Sequence, residues 1–245
     1  MAVLLAYNLA SDFAASTVAS NITGSIMTNA SLSYFARDTL AYASDPILVA
    51  NPPASTTSAA LAITNGSYFF ITITPTSGNS ISLTTLTFNI ARGGASTPRG
   101  YDVRSSVDSF AASLGTADVA TARTTWTNVS IDLSAAGFQN VTGSITFNIY
   151  LYAPSEGNSL DIDDVVINGT DASSGTVQQE GFRWRSDDGS ETAATWLATQ
   201  DTDIIQEKAT NVRLRVLLNS TLDRGSESYQ LEYRKVGGTT WRVID

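Results

Sequence analysis

Apolar residues recur at every second position along most of this chain. In residues 144–152, Ile145, Phe147, Ile149 and Leu151 alternate with Thr146, Asn148, Tyr150 and Tyr152; in residues 127–133, Val129, Ile131 and Leu133 alternate with Asn128, Ser130 and Asp132. A period of two puts each set on its own face of an extended strand, so both stretches predict half-buried strands with one stripe turned to a core. The same reading predicts strands over residues 3–9, 61–63, 68–74, 82–91, 101–105 and 160–167, several of them separated by turn-forming clusters at 75–78, 92–94, 135–137 and 154–157. About eight strands at this spacing predict a two-sheet sandwich or jelly roll. Residues 45–60, rich in Ala, Ser and Pro, predict a long loop, and residues 108–114 a turn or two of helix with Asp108 as its N-cap.

The last part of the chain carries the same periodicity with more charge. Phe182 and Trp184 alternate with Arg183 and Arg185, Ser186-Asp187-Asp188-Gly189 supplies turn chemistry, and two further runs follow: Val212, Leu214, Val216 and Leu218, then Tyr229, Leu231 and Tyr233. These predict a small antiparallel sheet closed by Trp241 and Val243, in which Glu232 and Arg234 neighbour Arg213 and Arg215 and Glu232 makes the cross-strand ion pairs. Residues 1–176 hold five Arg, no Lys and twelve acids, against nine bases and eleven acids in residues 177–245. The fold class expected is therefore all-β, with an N-terminal jelly-roll sandwich (residues 1–170), a polar linker (171–176) and a small antiparallel β domain (177–245).

Composition narrows the chemistry. The chain has 245 residues, enough to bury a core, and neither Cys nor His. Thiolate chemistry, disulfides, the Ser-His pair and the commonest transition-metal ligand are thereby excluded. A net charge of -9 argues against duplex nucleic acid as a partner, and no apolar run approaches the roughly 18 residues of a membrane span. Glycosidase chemistry needs two acids facing one cleft. The strand-borne acids are mostly isolated on outward faces, so no enzyme activity is expected. Residues 3–6 lack the basic flank and cleavage site of a secretion signal and are expected to begin the first strand.

Two resemblances add a setting. FRWRSDDGSETAATWLATQDT, followed by RLRVLLNS and YQLEYRKVGGTTW, resembles a recurrent module of tailed-phage and prophage structural proteins and of some large bacterial surface proteins. LTTLTFNIARGGASTPRGYDVRSSVDSFAASL, with WTNVSIDLSAAGFQNVTGSITFNIYLY and LDIDDVVING, is similar to the jelly-roll domain of PEP-CTERM-type bacterial surface proteins, which is related to carbohydrate-binding modules. The first resemblance implies a bacteriophage virion structural protein on the particle surface (head decoration, head fibre or tail-fibre component) that acts by subunit binding to capsid or tail proteins and to further copies of itself, as in a trimer. The second implies an alternative: a secreted or cell-surface carbohydrate-binding module for adhesion, with polysaccharide as partner.

Few residues stand out as sites. Asp161, Asp163 and Asp164 form the acidic cluster of the first part, and by analogy with carbohydrate-binding jelly rolls Asp163 is the candidate for a structural calcium, a cation that takes carboxylate and carbonyl oxygens; no other cofactor is expected. Asp187, Asp188 and Glu191 are expected to form a capped turn rather than a metal loop, since the alternating ligand spacing is missing. Tyr150 and Tyr152 share an outward face and are the glycan-contact candidates, with Tyr34, Tyr42 and Tyr101 near loops. Trp126, Trp184, Trp196 and Trp241 are expected to be core or interdomain anchors.

Overall fold

The computed structural model describes residues 2–43, 45–119, 124–173, 177–190, 192–207, 210–220 and 230–243, and the chain divides into two compact units, Met1–Ser173 and Ser174–Asp245. In the first unit the strands are, in chain order, β1 (Ala2–Tyr7), β2 (Thr17–Val18), β3 (Ile22–Gly24), β4 (Thr28–Asn29), β5 (Tyr34–Asp38), β6 (Ile47–Asn51), β7 (Tyr68–Pro75), β8 (Asn79–Arg92), β9 (Gly100–Ser105), β10 (Gly115–Asp118), β11 (Thr127–Asp132), β12 (Ile145–Tyr152) and β13 (Leu160–Ser173), with one helix, α1 (Ala59–Thr64), between β6 and β7. The fold is all-β. Its first sheet runs β11-β8-β13-β1 and its second β10-β9-β12-β7, all antiparallel. From β7 to β9 and again from β10 to β13 the chain changes sheet at each strand, which gives the eight-stranded jelly-roll order. Residues between β1 and β7 form an insertion whose short strands extend the sheets: β2, β5 and β6 on the first, β3 and β4 on the second.

The period of two seen in the sequence is what fills the space between the sheets. Ile145, Phe147, Ile149 and Leu151 of β12 face Phe69, Ile71 and Ile73 of β7 along one wall, and all are buried. Opposite them, the apolar phase of β8 changes from Ile81 and Leu83 to Leu86, Phe88 and Ile90. A bulge explains the change: Leu83 pairs with Gly169 and Thr85 with Asn168, so Thr84 is the extra residue. In β13 the same device shifts the phase from Ile162 to Val165, with Asp164 at φ +50° in the extra position. Rings lock the layers, Phe88 edge-on to Tyr101 at 5.4 Å and Phe138 stacked on Phe147 at 6.1 Å.

Several sequence expectations are corrected. Residues 61–63 lie in α1 and not in a strand: the Ser58 hydroxyl caps the helix by accepting from the Leu61 N–H at 3.3 Å, and alanine favours the helix. The expected loop of 45–60 contains β6, whose Ile47-Leu48-Val49 run pairs with β5 and β13. No helix follows Asp108, whose carboxylate instead accepts from the Ala111 and Ala112 N–H groups at 3.2 and 2.8 Å in a turn. The segment is a 3-10 turn, Ser106–Asp108, ended by left-handed Ser109 and Phe110 at φ +60° and +61°. Asp171, Ala172 and Ser173, expected in the linker, are the end of β13; residues 174–176 lie outside the described residues.

In the second unit β14 (Val177–Ser186) pairs with β15 (Val212–Ser220), and β16 (Glu232–Tyr233) with β17 (Arg242–Val243). The expected pairing of Arg213 and Arg215 with Glu232 is overturned. β15 lies beside β14, whose Phe182 and Trp184 offer Val216 and Leu214 apolar partners across the strand pair, and Glu232 lies opposite Val243. Tyr229 lies outside the described residues.

Candidate functional site

The outward face of the second sheet collects the side chains that the core leaves over. Because Phe69, Ile71 and Ile73 point inward, Tyr68, Phe70, Thr72 and Thr74 of β7 point outward, and cross-strand register sets Tyr68 beside Tyr150, Phe70 beside Asn148 and Thr72 beside Thr146. Three aromatic rings run together there, Tyr68 to Tyr150 at 4.8 Å and Tyr68 to Phe70 at 6.3 Å. A hydroxyl ladder continues the row: Thr72 and Thr146 hydroxyls hydrogen-bond at 2.8 Å, and the Thr74 hydroxyl donates to that of Ser144 at 2.9 Å. Tyr68, Phe70, Thr72, Thr74 and Thr146 are all partly exposed. The strip is uncharged along its length.

Tyr150 and Tyr152 do share this outward face, yet each is only 6% exposed. Helix α1 lies over them, packing Ala59, Ala62 and Ile63 against the two rings. Tyr152 is further tied down, its hydroxyl donating to the Asp118 carboxylate at 2.7 Å. Both rings are buried, and Tyr68 and Phe70, which strand alternation alone would have placed outward, are the partly exposed rings of this face. On the neighbouring strand β9, Asp102 and Arg104 make an ion pair at 2.9 Å with side-chain exposures of 4% and 17%. The Arg104 guanidinium also donates to the Phe110 and Ala111 carbonyls at 3.0 and 2.5 Å, which folds the 106–111 segment against that part of the sheet.

The other aromatics are placed as follows. Tyr34 is 46% exposed on β5, Tyr101 is core, and Tyr42 donates its hydroxyl to Asp161 with its ring 5.9 Å from that of Trp126. Trp196 and Trp241, expected as anchors, are 38% and 56% exposed and lie against arginines, Trp196 under Arg183 and Arg185 and Trp241 under Arg234. A ring that binds a guanidinium need not be buried to be used.

The acidic cluster separates into different environments. Asp161 is fully buried, while Asp163 is half-buried and Asp164 exposed at the bulge. Burial, then the neighbouring charges of Asp164 and Asp45, push the Asp163 carboxyl up to about 6. Its Oδ1 accepts from the Asp164 N–H at 2.8 Å, and Asp164 accepts from Asn89 at 3.2 Å. Among the described residues no group of three or more acids is arranged to hold a metal, so the fit expected of a calcium at Asp163 is not met by carboxylates alone. In the second unit Asp187 accepts from Arg213 at 2.6 Å, and hydrogen bonds from Ser186 and Thr195 hold the Asp188 carboxyl down at about 2. Glu191 lies outside the described residues.

Sequence reasoning passed over the polar interior at one end of the sandwich. Arg92 and Arg99 are 2% and 3% exposed. Arg99 donates to the Ser96 carbonyl at 2.9 Å and to Asn158 at 2.6 Å, which ties the β8–β9 loop to the β12–β13 loop. The available signal was the Arg-Gly-Gly and Pro-Arg-Gly turns, where glycine leaves room for a guanidinium: a Cβ on Gly94 would lie 2.6 Å from Arg99 Nη2.

No family model and no curated protein matches the chain. Among solved structures it is similar to the K1 cleaved adhesin domain of Lys-gingipain from Porphyromonas gingivalis W83 (14% identity, 68% of this chain and 98% of that one, TM-score 0.39). It is also similar to the K3 cleaved adhesin domain of the same protein (17%, 51% and 74%, TM-score 0.32) and to the family 11 carbohydrate-binding module of a cellulosomal cellulase of Clostridium thermocellum (10%, 61% and 88%, TM-score 0.32). These neighbours are adhesin and carbohydrate-binding β-sandwich domains. Neither the family models nor the curated proteins match the tailed-phage module expected of the C-terminal stretch.

Proposed function

We propose that this chain is a carbohydrate-binding module of an extracellular or cell-surface protein, that it acts by adhesion without catalysis, and that sugar lies along the outward face of the second sheet. The observation that carries the reading is the strip of Tyr68 and Phe70 continued by the hydroxyls of Thr72, Thr146, Thr74 and Ser144. A sugar ring has apolar C–H faces and a rim of hydroxyls. Aromatic rings match the first and a hydroxyl ladder the second, since each threonine keeps lone pairs after its ladder bond. Tyr68, packed beside Tyr150, loses little freedom on binding, which favours affinity from a small contact.

The particle-surface role expected from the C-terminal stretch has no observation of its own, and the binding reading stands in its place. Its test is whether the full chain binds uncharged oligosaccharides through that strip. Tyr68→Ala or Phe70→Ala weakens binding about tenfold or more, whereas Tyr150→Phe, which keeps the buried ring, leaves it.

A further inference from the structure

The uncharged strip on the second sheet has two unlike ends. At its head, β7 is entered from α1 through only Asn65, Gly66 and Ser67, and α1 lies over the outward face of β12, with Tyr68 packed against the same group as Ala59 and Ile63. Hydrogen bonds hold this turn in place. The Asn65 N–H donates to the Leu61 carbonyl and the Ser67 N–H to the Ala62 carbonyl, both at 2.8 Å, and the Ser67 hydroxyl donates to the Leu151 carbonyl of β12 at 2.7 Å. At Gly66 the main chain comes close to the first ring of the strip: a Cβ there would lie 4.0 Å from Tyr68 Cε1 and 3.5 Å from the Ser31 hydroxyl oxygen. Tyr68 is thus bordered by the helix on its β12 side and by the Gly66 turn at its end.

The foot of the strip is open. After Thr74 the chain turns at residues 76–78 into β8, which belongs to the first sheet, so the main chain leaves this face. Ser77, Gly78, Gly143 and Ser144 are exposed there, and a Cβ on Gly143 would meet nothing within 4 Å. Six residue steps at about 3.3 Å each separate Tyr68 from Thr74 by about 20 Å, room for about four sugar rings laid end to end.

We infer that the strip holds the end of a linear uncharged glycan chain and not a segment from its middle. The terminal ring lies on Tyr68 against the Gly66 turn, the next on Phe70, and the following rings meet the Thr72–Thr146 and Thr74–Ser144 hydroxyls before the chain leaves past Thr74. This rests on the sugar-binding reading above and adds a direction to it. A segment from the middle of a chain has to leave the strip at both ends. At the head that path runs into α1, whose contacts with Tyr150 and Tyr152 would have to be given up to let it through. A chain that turned off earlier, over the exposed Thr28 beside Phe70, would forfeit the Tyr68 ring and half of the aromatic surface. Only a chain end uses the whole strip.

Isothermal titration of the full chain tests the inference with xylo-, manno- and malto-oligosaccharides, from dimer to hexamer, and with the soluble linear polymer of each series. In a series that binds, affinity is expected to rise with length up to about four rings and then level off. The polymer takes up one copy of the protein per chain, whatever its length. That stoichiometry is read on the wild-type chain and depends on no variant. Tyr68→Ala weakens every length, the dimer included, by about tenfold or more, whereas the penalty of Thr74→Val appears only once the oligosaccharide is long enough to reach that hydroxyl. Uptake of copies in proportion to polymer length, or a dimer as sensitive to Thr74→Val as to Tyr68→Ala, overturns end binding and leaves the sugar-binding reading standing. Absence of binding in all three series overturns both.

Discussion

Tyr152 stands directly opposite Gly100 across the β12–β9 pair, and its hydroxyl donates to the Asp118 carboxylate at 2.7 Å. A side chain at position 100 would occupy the space the tyrosine uses. Burial, reinforced by the hydrogen bond to Asp118 and its charge, pushes the hydroxyl far above the ordinary tyrosine value, so it stays a neutral donor at any working pH. The ring is a brace between β12 and β10. That commitment is why the proposed binding surface uses Tyr68 and Phe70 instead.

Gly100→Ala places a methyl into both the Tyr152 hydroxyl and the Ala117 main-chain carbonyl. The carbonyl belongs to the β9–β10 pair and has no rotamer to escape into. A loss of about 1–3 kcal/mol is expected by urea unfolding, the usual cost of overpacking. Gly143→Ala meets nothing within 4 Å and serves as the control, with no measurable loss expected.

Arg104→Ala leaves Asp102 buried without its cation and releases the Phe110 and Ala111 carbonyls. The expected cost is about 3 kcal/mol or more, because a stranded buried charge is dearer than a missing pair. Asp102→Asn combined with Arg104→Met should recover most of it. A double variant as unstable as Arg104→Ala would show that the carbonyl contacts, not the charge, are what the arginine supplies.

Asp163 makes stability depend on pH. Its carboxyl titrates near 6 in the folded chain against an ordinary 3.8, so within that window the fold retains a proton that the unfolded chain has released. Stability therefore falls as pH rises from about 4 to about 6 and stays at the lower level above it. Asp163→Asn is expected to unfold a few degrees higher than wild type at pH 7 and at the same temperature at pH 3.5. An equal gain at both pH values would mean that packing, not charge, is responsible.

How much of this was legible in the sequence depended on whether local pattern and long-range pairing agreed. Ile145, Phe147, Ile149 and Leu151 announce a strand and its buried face together, and the structure places them in the core. Leu61 and Ile63 look the same over three residues, but the Ser58 cap and the alanines decide for a helix. That helix then covers Tyr150 and Tyr152, and no pattern within β12 contains the information that a helix from an insertion more than eighty residues earlier will fold over it. The arginines of β15 were visible as a row. Their partners were not, because alternation fixes the face of a strand and says nothing of its neighbour.

The most direct measurement is a glycan array on the full chain, followed by calorimetric titration of the strongest uncharged oligosaccharide against wild type, Tyr68→Ala and Phe70→Ala. The account predicts saturable binding that each substitution weakens about tenfold or more, with the unfolding temperature close to wild type. Failure of every uncharged glycan to bind, or binding that survives both substitutions, would contradict it.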